Sequence, residues 1–283
     1  MKLFLVKKSS RLLSKVVLNL VKVAIFSLVL VFIKSQVFAS GVKEIQAKKE
    51  LLVGLDPGFI PFEMKKPNGD WIGFDIEMMT AFAKELGVSV KFMDTKWDGI
   101  IPALIAKKFD LIVSGMTITE ERSKVILFSD SYYKAGLNVL LTQKAALKIK
   151  KVSDLNTPEF SVAVKVGTTG DFYVGKTLPK ANVKKLDSES DCANSVALGK
   201  IDAFIYDKPY VQLFASRNSA KVTSLKETIT DEDLGVAARK ADKDLILAFN
   251  AFLKKWRESG AYDKAIKSNF VDMPWLKDFP DLK

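Results

Sequence analysis

From residue 50 onward, short apolar runs alternate with stretches whose apolar residues recur at helical spacing. "LLVGL" (51–55) is an apolar run that stops at Asp56-Pro57-Gly58, a turn signal. "NGDWIGF" (68–74) reads as a hairpin. Asp75 is placed to cap a helix in which Ile76, Met79, Ala83 and Leu86 share a face, and Gly87 ends it. "VSVKFM" (88–93) predicts a strand, and Ile100, Ile101, Leu104 and Ile105 predict one face of the next helix. "FDLIVS" (109–114) predicts a buried strand. Such alternation predicts an α/β fold with largely parallel sheets.

One unit occurs twice. "LIAKKFDLIVSG" (104–115) is similar to "VALGKIDAFIYD" (196–207): a helix end, a basic turn residue, then Asp110 or Asp202 before an apolar strand. Any α/β protein repeats helix–turn–strand units. The more informative reading is two lobes, each presenting the C-terminal end of a strand, where open α/β sheets bind ligands. The boundary falls near "DSYYKAGLNVLL" (130–141), residues 145–225 form a second sheet, and "DLGVAARK" (233–240) returns as a strand to the first lobe. Leu245, Phe249, Phe252, Leu253 and Trp256 then mark a long helix, and "YDKAIKSNF" a last short one. The predicted domains are residues 40–133 with 233–283, and 134–232. The chain crosses between them near 132–136 and 229–234, a double crossing suited to a hinge.

The N-terminus changes the picture of where the protein works. Residues 1–39 hold seven basic groups and no acid, and an apolar run "VAIFSLVLVFI" (23–33) precedes Val37 and Ala39 at the −3 and −1 positions of a cleavage site. This predicts a signal peptide cleaved after Ala39 and a periplasmic protein. An uncleaved anchor helix reaching back through "VVLNLV" is the other reading, and Lys22 interrupts it. Subtracting those seven charges from the net +11 leaves +4, which is no nucleic-acid footprint. The single cysteine, Cys192, lies far from the leader, so neither a lipid anchor nor a disulfide framework is expected. The absence of histidine removes Ser-His-Asp and Cys-His catalysis and histidine metal sites. No cofactor or metal is expected, and a monomer is the default.

Candidate chemistry gathers at strand ends. In "VSGMTITEER" (113–122), Ser114, Gly115 and Thr117 leave room and expose N–H groups, and Thr119 can cap a helix starting at Glu120. Arg122 lies in that first turn, where a cation opposes the helix dipole. A guanidinium beside free N–H groups and hydroxyls suits a carboxylate; a surface arginine pairing with Glu121 or Asp130 is the plainer reading. In "AVKVGTTGDF" (163–172), Gly167, Thr168, Thr169 and Gly170 offer N–H groups at a second helix start. Asp207 can receive an ammonium group, although Lys208-Pro209 also suits it as a helix cap. Asp56 has turn stabilisation as its ordinary role, and Phe59 and Trp97 would more often be core aromatics.

These stretches, with "DPGFIPFEM", "GFDIEMM", "FSDSYYKAG" and "GKIDAFIYD", resemble the polar-amino-acid periplasmic binding proteins of ABC importers over residues 48–272. Among these, the glutamine-binding proteins are the most similar in motif. The resemblance implies a type II periplasmic-binding-protein fold, α/β and two-lobed, with a ligand cleft between lobes joined by a two-strand hinge. It implies that Arg122, Thr117 and Thr169 take the ligand α-carboxylate, that Asp207 and a carbonyl near Gly115 take the α-ammonium, and that Phe59 and Trp97 sandwich the side-chain stem. It implies an L-amino-acid ligand and an inner-membrane permease with its ATPase as partners. The family usually has Phe or Tyr at the position of Trp97. Glutamine-binding proteins have histidine where Tyr206 stands and glycine where Thr169 stands. Lys165 falls at their pocket lysine, where relatives preferring cationic ligands usually carry an uncharged residue. An ammonium beside the Asp56 carboxylate suits a neutral amide, so glutamine is the expected ligand, ahead of arginine, lysine or histidine. Cyclohexadienyl dehydratases share the architecture but need a general acid at the amine partner, which retention of Asp207 argues against. A sensory module feeding a membrane receptor would have the same pocket.

Overall fold

The computed structural model describes residues 41–279. No helix among them is long and apolar enough to cross a membrane. The leader read over residues 1–39 lies outside the described residues. In chain order the strands are β1 (Glu50–Leu55), β2 (Met64–Lys65), β3 (Trp71–Ile72), β4 (Ser89–Asp94), β5 (Leu111–Ile112), β6 (Ile126–Phe128) and β7 (Tyr133–Lys134). They continue with β8 (Leu137–Thr142), β9 (Ser161–Lys165), β10 (Asn182–Leu186), β11 (Ala203–Asp207), β12 (Val222–Ser224), β13 (Asp233–Leu234) and β14 (Ala237–Arg239).

Two five-stranded sheets result, ordered β4-β1-β5-β14-β6 and β10-β9-β11-β8-β12. In each, the leading three strands are parallel and the others join antiparallel. Sequence decides which strands are central. "AFIYD" of β11 is buried along its whole length, as expected between covered faces. "NVKKL" of β10 has no fully buried residue and exposes both lysines, as an edge strand should. β2 and β3 form a hairpin whose turn and second strand fall in the stretch 68–74 read as one, while its first strand begins earlier, at Met64.

The repeated aspartates are wired alike. Asp110 Oδ2 accepts the N–H of Leu52 in β1 at 3.0 Å. Asp202 Oδ2 accepts the N–H of Ser161, at the start of β9, at 2.8 Å. Each ties a helix–turn–strand unit to the neighbouring strand. β7 and β13 pair antiparallel, Tyr133 opposite Leu234 and Lys134 opposite Asp233, and so join the halves.

Three local expectations are corrected. Gly73, not Asp75, occupies the cap of helix Phe74–Leu86, at φ +124°. A Cβ there would lie 2.2 Å from the Phe62 carbonyl oxygen, so only glycine fits. Asp75 is the second residue of the helix, within its first turn, and is fully buried. In helix Trp97–Ile105, Ile100 and Leu104 are buried while Ile105 is 53% exposed, so the apolar face is one i, i+4 ridge. The strand read over 109–114 pairs only at Leu111–Ile112. Beyond it Gly115 takes φ +52° and turns the chain alongside the hinge, where Ile118 N–H donates to Asp233 O and Gly235 N–H to Met116 O. The long helix Lys243–Glu258 buries all five residues assigned to its face, together with Ile246.

Candidate functional site

Thr119 caps the short helix Glu120–Ser123, its hydroxyl accepting the Arg122 N–H at 3.2 Å. This turns the Arg122 side chain inward, where it is 8% exposed. Nη1 donates to Thr117 O at 2.8 Å, and Nη2 to Gly167 O in the other half at 3.3 Å. Burial pulls the guanidinium below the usual arginine range, and Asp207 and Glu232 oppose that pull. The indole of Trp97, at the start of its helix, lies 5.2 Å from the guanidinium and 5.6 Å from Lys165 Nζ.

Opposite this cation stands Asp207, at the end of β11. It occupies the cap position of helix Lys208–Arg217 but makes no capping bond with its side chain. Its carboxyl is buried and Oδ1 has no partner among the described residues. Burial and then Glu232 push it up to about 7, against the pull of Arg122. Its folded value therefore exceeds its unfolded one. Its contribution to stability is present below the unfolded value near 3.8 and is lost as pH rises through about 7. An ammonium ligand needs the ionised form, so amino-acid affinity is expected to rise by up to about tenfold per pH unit below this value and then level off. Titrating the ligand at several pH values checks this, and Asp207→Asn should flatten the profile.

The far end holds Asp56, Lys165 and a residue the sequence reading missed, Glu189. Lys165 Nζ lies 2.6 Å from Asp56 Oδ2 and 2.6 Å from Glu189 Oε2. Burial would lower the ammonium, but Glu189 and Asp56 hold it above the usual lysine range. Two carboxylates thus face one ammonium. Glu189 sits in the first turn of helix Glu189–Ala197, where an acid reads as a dipole complement on a wet surface.

The remaining predicted residues divide. Thr117 and Thr169 hydroxyls both donate to Glu232 Oε2, at 3.0 and 2.9 Å. Thr168 instead uses its hydroxyl within its own turn, donating to Lys165 O and accepting the Asp171 N–H. The Ser114 hydroxyl accepts the Asp56 N–H and donates to Glu63. Both hydroxyls are therefore engaged in shaping the walls. Phe59 stacks on Phe62 and meets Tyr206 edge-on with centroids 5.7 Å apart. Gly115 lies so near Phe59 that a Cβ would come within 2.2 Å of the ring. Tyr206 also stacks on Phe204, and burial keeps its phenol neutral.

Beneath this floor lie two more acids to which the sequence reading gave no such role, Glu63 and Asp75, both fully buried. Burial, then Asp75, raises Glu63 well above the usual carboxylate range, against the hydrogen bond from Ser114. Burial also lifts Asp75 to about 7, against hydrogen bonds from Tyr132 Oη and the Gly115 N–H. Among the described residues no group of acidic or cysteine side chains is arranged to hold a metal ion.

Comparisons with known proteins place the chain in a family. A family model described as bacterial extracellular solute-binding proteins, family 3, matches residues 51–272. An arginine-binding periplasmic protein of Mannheimia haemolytica is 32% identical over 225 residues, covering 78% of this chain and 91% of its own. The ABC transporter glutamine-binding protein GlnH of Bacillus subtilis is 30% identical over 280 residues, covering 94% and 99%. The crystal structure of the ancestral amino-acid-binding protein AncCDT-1, a precursor of cyclohexadienyl dehydratase, is 42% identical with a TM-score of 0.77, covering 82% of this chain and all of that one. The chain belongs to the family-3 bacterial extracellular solute-binding proteins, and the relatives named here carry names for amino-acid binding.

Proposed function

We propose that this chain captures an amino acid with a cationic side chain, arginine or lysine, and delivers it to an ABC permease and its ATPase. The observation that carries the ligand class is the ion cluster at the far end, where Asp56 and Glu189 outnumber Lys165 in a buried setting. The expectation of glutamine weighed Asp56 against Lys165 alone. With Glu189 included the end is net negative, and a cation is favoured there. A relative named for arginine binding supports the same reading. Glutamine is the second reading. Lys165 has three N–H groups and spends two on carboxylates, so the third can serve an amide carbonyl. A relative named for glutamine also supports it.

In this mechanism Arg122 forks the α-carboxylate with the help of Thr117 and Thr169. Asp207 receives the α-ammonium. Residues 40–133 and 233–283 form one lobe and residues 134–232 the other, so the ligand bridges both and draws them closed. The leader directs the protein to the periplasm. Calorimetric titration of the refolded protein with the twenty common amino acids tests this. Tight arginine or lysine binding with weak glutamine binding supports the first reading, and the reverse supports the second. Silence across the panel overturns both.

A further inference from the structure

Glu232 lies immediately before hinge strand β13, in the acidic run "DED". Its backbone is fixed, because Ala135 N–H donates to its carbonyl oxygen at 2.8 Å. Its side chain is partly buried and is held by hydroxyls rather than left free. Oε2 accepts from Thr117 Oγ1, on the segment leaving β5, and from Thr169 Oγ1, the first residue of helix Thr169–Thr177 behind β9. Oε1 accepts from Thr230 Oγ1 at 2.9 Å, and that hydroxyl accepts the Leu137 N–H. One carboxylate oxygen therefore joins hydroxyls from both halves of the molecule. Its charge is also felt at Arg122 and at Asp207.

A threonine hydroxyl has one proton to give. Thr117 and Thr169 cannot donate to Glu232 and to a ligand carboxylate together. Two carboxylates beside one guanidinium also repel each other where water is scarce. We propose that Glu232 is an internal carboxylate that latches the two halves together in the ligand-free protein and gives up the two threonine hydroxyls to the ligand's α-carboxylate on binding. The inference rests on the amino-acid reading of the site. It makes Glu232 a residue that sets affinity and holds a closed, unliganded population.

The test compares wild-type protein with Glu232→Gln, Glu232→Ala and Thr169→Val, by small-angle scattering without ligand and by calorimetry with arginine, or with glutamine if the panel selects it. Ligand-free Glu232→Ala and Thr169→Val are expected to show a larger radius of gyration than wild type, and saturation with ligand should return Glu232→Ala to the wild-type value. Glu232→Gln is expected to bind about tenfold tighter, because the ligand no longer competes with a charge. Thr169→Val should open the protein without that gain, since the ligand loses the same donor. An unchanged or weaker affinity in Glu232→Gln, or an unchanged ligand-free radius in Glu232→Ala, overturns the latch. If the wild type binds no amino acid, the amino-acid reading fails, and the ligand-free scattering alone decides whether Glu232 holds the halves together.

Discussion

Arg122→Ala is expected to weaken binding of every amino acid more than any other substitution, whichever one the protein prefers. The α-carboxylate is common to all of them, and in the proposed mechanism the buried Arg122 is the cation that takes it. Its guanidinium is already held in one orientation by the Thr117 and Gly167 carbonyls and by the Trp97 ring. A ligand therefore meets a preorganised fork. Losing one partner of a buried, hydrogen-bonded charge pair costs about 2–5 kcal/mol, or roughly 30- to several-thousand-fold in affinity. Arg122→Lys keeps the charge without the planar fork and should recover only part of the loss. Calorimetry at high protein concentration reads both variants. Normal binding by Arg122→Ala would mean that the carboxylate sits elsewhere.

Lys165→Leu is expected to have the next largest effect, on stability and specificity together. Glu189 and Asp56 would be left facing each other without their shared cation, in a site where Lys165 and Glu189 side chains are each 3% exposed. Removing one partner from a buried ion pair costs about 3–5 kcal/mol. Asp56 lies in the other half, so opening of the cleft can relieve part of this by hydrating it. A cationic ligand would replace the lost ammonium, so arginine should raise the melting temperature of the variant more than that of the wild type. The preference for arginine over glutamine should also grow. An unchanged ratio between the two ligands would remove Lys165 from the specificity argument.

Features written in local sequence were legible. The Thr119 cap that turns Arg122 inward follows from three adjacent residues, and the paired Asp110 and Asp202 follow from a repeat. The short hinge strands lie within the two segments read as crossings. What escaped has long-range causes. Glu189 meets Lys165 from 24 residues away, and Glu232 meets Thr117 from 115 residues away. Locally, one looks like a dipole-complementing acid and the other like part of a solvated acidic run. Asp75 misled for the opposite reason. A helix start with a nearby aspartate reads as a cap, but a close carbonyl gives that position to Gly73 and leaves the acid in the core.

The matched aspartate ties have a mechanical consequence. Each half carries a side-chain brace between its first parallel strand and the next helix–strand unit, while the β-pairing at the joint among the described residues is the two-residue pair β7 and β13. Stiffness is thus concentrated in the bodies and compliance at the joint. In the proposed closure, force applied in the cleft would rotate whole bodies, and their outer surfaces would shift as units. A docking membrane partner would then read cargo as the angle between two rigid plates, without touching the cargo itself.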